Sequence, residues 1–152
     1  MSQSLAQLYI HIIFHTRKSN NSTILPADQN KLYAYIGSII KHLDSIPLAI
    51  NSTDNHVHIL CSLSKNLPLA RLTQKIKQHS SKWLKGLSDH YINFSWQRGY
   101  AGFSVSSSLY KKTYKYINMQ EEHHKILSIK DELILFLKEY EVDFDLRYLL
   151  ED

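Results

Sequence analysis

The stretch Asp54-Asn55-His56-Val57-His58-Ile59-Leu60 constrains the fold more than any other part of the chain. The polar residues Asn51-Ser52-Thr53-Asp54-Asn55 carry turn chemistry, because short polar side chains bond back to their own backbone. A short apolar run, Pro47-Leu48-Ala49-Ile50, precedes them and the histidine run follows, so the spacing predicts a hairpin whose second arm spans 56–63. Side chains alternate along a strand. His56 and His58 are therefore expected on one face, with Val57 and Ile59 on the other. Such a pair is either half of a metal clamp or a pattern of core packing.

The flanking sequence supplies the rest of a sheet. Leu8-Tyr9-Ile10-His11-Ile12-Ile13-Phe14 is short, β-branched and aromatic, which reads as a buried strand. Polar residues 16–23 read as a loop. From Pro26 onward, Leu32, Ile36, Ile39 and Leu43 recur at helical steps with Asp28 in the first turn, predicting a helix over about 27–43. Pro68 opens a second helix with Leu69, Leu72, Ile76 and Trp83 on its apolar face; Gly86 to Asp89 ends it. Phe94-Ser95-Trp96-Gln97 and Gly99-Tyr100-Ala101-Gly102-Phe103 together predict a strand broken by glycines, where a bulge or a close backbone approach is expected. The serines at 104 and 106–108 are expected to cap a helix containing Leu109, Thr113, Tyr116, Ile117 and Gln120. A last amphipathic helix over about 131–140 leads into an acidic tail, 141–152. The first six elements have the order of the α+β, ferredoxin-like split β-α-β arrangement: an antiparallel sheet with helices on one face, here followed by C-terminal helical sequence. The 152 residues fit one domain with a core of its own.

Charge is unevenly spread. Residues 1–120 hold 14 Lys and Arg against 4 Asp and Glu, a net of +10, while residues 121–152 hold 4 against 10, a net of −6. Between Asp54 and Asp89 no acidic residue occurs, yet Lys65, Arg71, Lys75, Lys77, Lys82 and Lys85 do. Arg71, Lys75, Gln78, Lys82 and Lys85 follow helical steps and make a polar, mostly basic stripe, the leading candidate for phosphate contact in a DNA-binding surface. A solvated helix face with the acidic tail folded over it is the other reading. The single cysteine, Cys61, leaves no intramolecular disulfide to form, which suits a reducing compartment. The opening residues lack a basic-then-apolar leader, and no apolar run nears the roughly 18 residues a membrane helix needs. A cytoplasmic protein with no membrane partner is expected.

Tyr116 and Gln120 are four residues apart and so share a helix face. If that helix crosses the sheet face bearing His56 and His58, Gln120 would complete a metal site and Tyr116 would stand beside it as a nucleophile. A tyrosine hydroxyl, with a pKa of about 10, needs deprotonation or a strongly polarised target, and a divalent ion on a phosphodiester oxygen supplies the second. On chemistry alone Tyr110 and Tyr114 are equally suited to the role, and His123 or His124 could stand in for Gln120.

The His56-Val57-His58 segment, the runs Trp96-Gln97-Arg98-Gly99-Tyr100 and Phe103-Ser104-Val105-Ser106, and Tyr116-Ile117-Asn118-Met119-Gln120-Glu121-Glu122-His123-His124 together resemble the TnpA-like single-tyrosine HUH transposases of small prokaryotic insertion sequences. The opening strand and Phe136-Leu137-Lys138-Glu139-Tyr140 resemble the family as well, so the likeness covers nearly the whole chain. It implies a DNA transposase that cleaves and rejoins single-stranded DNA at hairpin-bearing ends through a 5′-phosphotyrosine intermediate, with no nucleotide cofactor. Tyr116 would be the nucleophile; His56, His58 and Gln120 would be the metal ligands. Two imidazoles alone favour zinc or another transition metal, whereas the resemblance implies Mg2+ or Mn2+. It also implies a homodimer in which the tyrosine of either subunit serves the histidines. Met119 stands where the family often has Asn, and residues 51–53 lack the glycines frequent there; neither departure removes a chemical group.

Two other readings follow from the same residues. One is a non-catalytic single-stranded nucleic-acid binder that stacks bases on Tyr91, Trp96 and Tyr100 over the basic helix. The other is a relative that processes chromosomal hairpin repeats outside a mobile element, in the manner of the REP-associated tyrosine transposases.

Overall fold

The computed structural model describes residues 2–119, 128–147 and 149. Four strands, β1 (Tyr9–His15), β2 (Ile46–Ser52), β3 (His56–Ser62) and β4 (Ala101–Val105), form one antiparallel sheet in the order β2-β3-β1-β4. Between them run α1 (Gln29–His42), entered through a single 3-10 turn at Pro26–Asp28, and α2 (Leu69–Leu87). After β4 come α3 (Tyr110–Asn118) and α4 (Ile129–Glu139). The order β-α-β-β-α-β is the ferredoxin-like one, and the hairpin between β2 and β3 turns at 53–55.

Alternation divides the sheet into two chemically different faces. Ile12 and Phe14 of β1, with Val57, Ile59 and Cys61 of β3, join Leu32, Ile36 and Ile40 of α1 and Leu72, Ile76 and Leu84 of α2 in the main core. Each fully buried side chain of this kind is worth about 1.5–3 kcal/mol relative to exposure, before the cost of ordering the chain. The opposite face carries His11, Ile13 and His15 from β1, His56, His58 and Leu60 from β3, and Phe103 and Val105 from β4. α3 packs there through Ile117 against Ala49, Leu60 and Val105, and α4 through Leu133 and Leu137 against Ile13 and Phe103. Helices therefore cover both faces, with α1 and α2 on one side and α3 and α4 on the other.

Two expectations need correction. The predicted strand over 94–97 does not form; Trp96 makes one isolated bridge to Thr16, and the strand begins at Ala101. Its indole N–H donates to Ser80 Oγ at 2.9 Å and its ring stands edge-on to Phe14 and Phe94, which draws the segment under α2. Farther on, Lys77 of α2 donates to the carbonyls of Gln97, Arg98 and Gly99, so their acceptors are taken by an ammonium rather than by a strand. The serines do not cap α3 either. Leu109 occupies that position without a side-chain bond, and the Ser106 and Ser108 hydroxyls pair with each other at 2.9 Å. Of the two roles foreseen for the glycines, close approach is the one seen at Gly102: a Cβ there would meet Leu69 Cδ2 at 2.8 Å.

Candidate active site

Register places the histidines. β1 pairs with β3 so that His15 lies opposite His56 and Ile13 opposite His58, which groups the imidazoles of two strands on the face away from the main core. His56 Nδ1 lies 2.6 Å from Asn55 Oδ1 and 2.9 Å from Thr53 Oγ1. An amide oxygen only accepts, so Nδ1 carries a proton, and in the neutral ring this leaves Nε2 with its lone pair. His58 Nδ1 lies 2.8 Å from His11 Nε2, which holds the ring from behind. Burial and the neighbouring His58 hold His11 well below the usual imidazole range. A neutral His11 can accept from His58 Nδ1–H, which turns His58 Nε2 toward Glu132 and orients the ring as a ligating histidine is normally oriented.

The acid that meets these histidines is not one the sequence pointed to. Glu132 of α4 brings Oε1 to 2.6 Å from His58 Nε2 and hydrogen-bonds the Tyr116 hydroxyl. Donor atoms of His56, His58 and Glu132 all lie within 4.8 Å of one another, and the three side chains are 2%, 0% and 1% exposed. A carboxylate buried to this extent calls for a cation. Two imidazoles plus a carboxylate form a donor set that suits a divalent metal ion. The signal for Glu132 was present in the helix period: Ile129, Leu133, Phe136, Leu137 and Tyr140 make an inward stripe, and Glu132 falls on it.

α3 singles out one tyrosine. The Tyr116 ring centroid is 5.9 Å from that of His58, and Phe136 stands edge-on to it at 5.4 Å. Burial, then the charge of Glu132 and the hydrogen bond to it, push the Tyr116 hydroxyl far above its ordinary value. The hydroxyl is thus protonated at neutral pH in this arrangement. Tyr110 instead packs on Tyr9 at 4.8 Å, and Tyr114 is exposed. Gln120, His123 and His124 lie outside the described residues.

The basic stripe sits elsewhere. Arg71, Gln78, Lys82 and Lys85 are exposed on α2 and Lys75 is half-buried, on the side of the sheet opposite His56 and His58. Of the aromatics considered for base stacking, Tyr91 and Trp96 are buried and Tyr100 is exposed. The Tyr91 hydroxyl donates to Asp28 Oδ2 at 2.6 Å and accepts from Leu25 N at 3.1 Å, so it is a core strut. Two cavities flank the histidine cluster. One, of about 220 Å3 between α3 and α4, reaches Tyr116 and Glu132 with Lys112 on its wall. The other, of about 760 Å3 along β4 and the residues after α4, is larger but reaches none of Tyr116, His56 and His58.

A family model described as "Transposase IS200 like" matches residues 4–120. Solved structures that share the fold include two transposases. A protein of Deinococcus radiodurans R1 assigned as a transposase aligns with TM-score 0.60 at 17% identity, over 79% of this chain and 98% of that one. A REP-associated tyrosine transposase bound to a REP hairpin aligns with TM-score 0.60 at 16% identity, over 84% of this chain and 76% of that one. No curated protein matches the sequence.

Proposed function

The chain belongs to the IS200-like transposase family, and from that premise we propose that it cuts and rejoins single-stranded DNA near hairpins, with Tyr116 as the nucleophile. The observation that carries this reading is the position of the Tyr116 hydroxyl: bonded to Glu132, which itself touches His58, while Tyr110 and Tyr114 face elsewhere.

His56 and His58 would hold the divalent ion, Mg2+ or Mn2+, with Glu132 within reach and Gln120 retained as a candidate donor from the sequence. The ion, when bound, would draw charge from a phosphodiester oxygen. The chain's own residues do the rest. His11, Thr53 and Asn55 fix the imidazole rings. Tyr116 gives up its proton, its oxygen forms the bond to phosphorus, and the bond from phosphorus to the 3′-oxygen breaks; that oxygen takes up a proton as the 3′-hydroxyl. Rejoining runs the same exchange backwards, with the phosphotyrosine bond conserving the energy. Hairpin binding, a homodimer and a cytoplasmic setting belong to the same proposal. No described helix is long and apolar enough to cross a membrane.

The test is a labelled single-stranded hairpin substrate incubated with Mg2+ or Mn2+. The wild-type chain and a Tyr114→Phe variant should give a denaturation-resistant protein-DNA adduct, and Tyr116→Phe should give none. An adduct on Tyr116→Phe would overturn the nucleophile assignment. Mixing Tyr116→Phe with His58→Ala subunits then distinguishes placements: activity returns only where one subunit's tyrosine serves the other's histidines. The contact of Tyr116 with His58 of its own chain favours no return.

A further inference from the structure

The three donors of the metal cluster are shut away from solvent, and α4 is what closes over them. Leu133 and Leu137 pack onto Ile13 and Phe103, Phe136 stands edge-on to both His11 and Tyr116, and Glu132 reaches His58 and the Tyr116 hydroxyl. A phosphodiester attacked by Tyr116 must bring its oxygens into this same space, between the tyrosine hydroxyl and the imidazoles. Carboxylate and phosphodiester each carry one negative charge, and at contact distance in a buried site they repel. Each also offers a hard oxygen donor, so one can replace the other without changing the charge of the site. An eleven-residue helix does not hold its shape alone in water, and what seats α4 is this short apolar seam and Glu132.

Resting on the strand-transfer reading above, we propose that Glu132 is a place-holder: in the DNA-free protein its carboxylate is the third donor to the divalent ion, and the scissile phosphodiester displaces it as α4 leaves the sheet. No covalent bond is made or broken in this exchange; one anionic oxygen leaves as another arrives. The catalytic face is thereby covered until a DNA strand takes the place of α4.

The test has three arms on the full-length chain. First, Mn2+ titrated into DNA-free protein and read by electron paramagnetic resonance should bind Glu132→Gln at least about tenfold more weakly than wild type, the scale of losing a metal-site carboxylate or its support. Second, at saturating Mn2+ with a hairpin substrate, Glu132→Gln should form the covalent adduct several-fold faster than wild type, because the competing anion is gone. Leu137→Asp, which weakens the seam but keeps Glu132, should do the same. Third, in the wild-type chain, adding the hairpin should raise amide hydrogen exchange across residues 129–139, a readout that needs no variant. Unchanged Mn2+ affinity in Glu132→Gln would show that it is no donor. A slower adduct at saturating Mn2+ would show that Glu132 is needed during the reaction, and unchanged exchange would show that α4 stays seated; each overturns the proposal. Failure of wild type to form any adduct would instead sink the strand-transfer reading and the exchange with it, while the Mn2+ arm still decides the donor.

Discussion

His11 Nε2 and His58 Nδ1 lie 2.8 Å apart at the centre of the sheet, two imidazoles from adjacent strands joined where no water reaches. One proton serves this contact, and which ring holds it decides whether His58 can bind a metal through Nε2. Replacing His11 by Phe removes the acceptor while keeping the volume filled, and should weaken Mn2+ binding by about 10- to 100-fold, the usual cost of losing such a partner. His11→Gln, which restores an amide oxygen, should recover part of it. Equal Mn2+ affinity in wild type and His11→Phe, measured by calorimetric titration, would refute the role.

The stripe on α2 offers a separable test of DNA contact. Lys82 is exposed on the outer side of the helix, and each phosphate contact removed should lower the slope of log affinity against log salt by about 0.7–0.9. Lys82→Ala is expected to do so while leaving Mn2+ binding untouched, because α2 lies across the sheet from the histidines. An unchanged slope would move the binding surface to another face.

Tyr91 looked suited to base stacking and proves to be internal. Tyr91→Phe loses the bonds to Asp28 and Leu25 and should cost about 1–2 kcal/mol, lowering Tm by about 3–6 °C for a chain of this size. Affinity for single-stranded DNA should stay the same. Weaker DNA binding with no loss of Tm would contradict the buried placement.

Cys61 gives a pH dependence with a defined sign. Burial pushes its thiol from 9.0 up to about 12. Because the folded value is the higher one, the stabilisation is complete below pH 9 and is lost as pH rises from 9 toward 12, by at most about 1.4 kcal/mol per pH unit. Chemical denaturation at stepped pH should show a steeper alkaline decline in wild type than in Cys61→Ala. In the native protein at pH 8 the thiol should resist a thiol-specific reagent and react fully once the chain is unfolded.

Sequence alone carried the sheet and the shared face of His56 and His58. The two-residue period of β3 announced both the core strand and the histidines on its opposite face, because one rule governs both. Helices α1 and α2 followed from their three- and four-residue apolar steps. What stayed hidden depends on contacts made at long range. Trp96 leaves the expected strand for Ser80, and Lys77, which reads as one more member of a basic stretch, turns inward to hold the carbonyls of 97–99. Glu132 sits in acid-rich sequence beside Asp131, and only its place on the inward stripe of α4 separates it from a solvated neighbour.

The alternation along β3 also sets what a misfolded copy can do. A slip of one residue in its pairing would turn Val57 and Ile59 toward Tyr116 and bury His56 and His58 among the isoleucines of the main core. Such a molecule would lose its hydrophobic contacts and the grouping of His56, His58 and Glu132 in the same event. An error of register would therefore undo the core and the histidine cluster together, not one without the other.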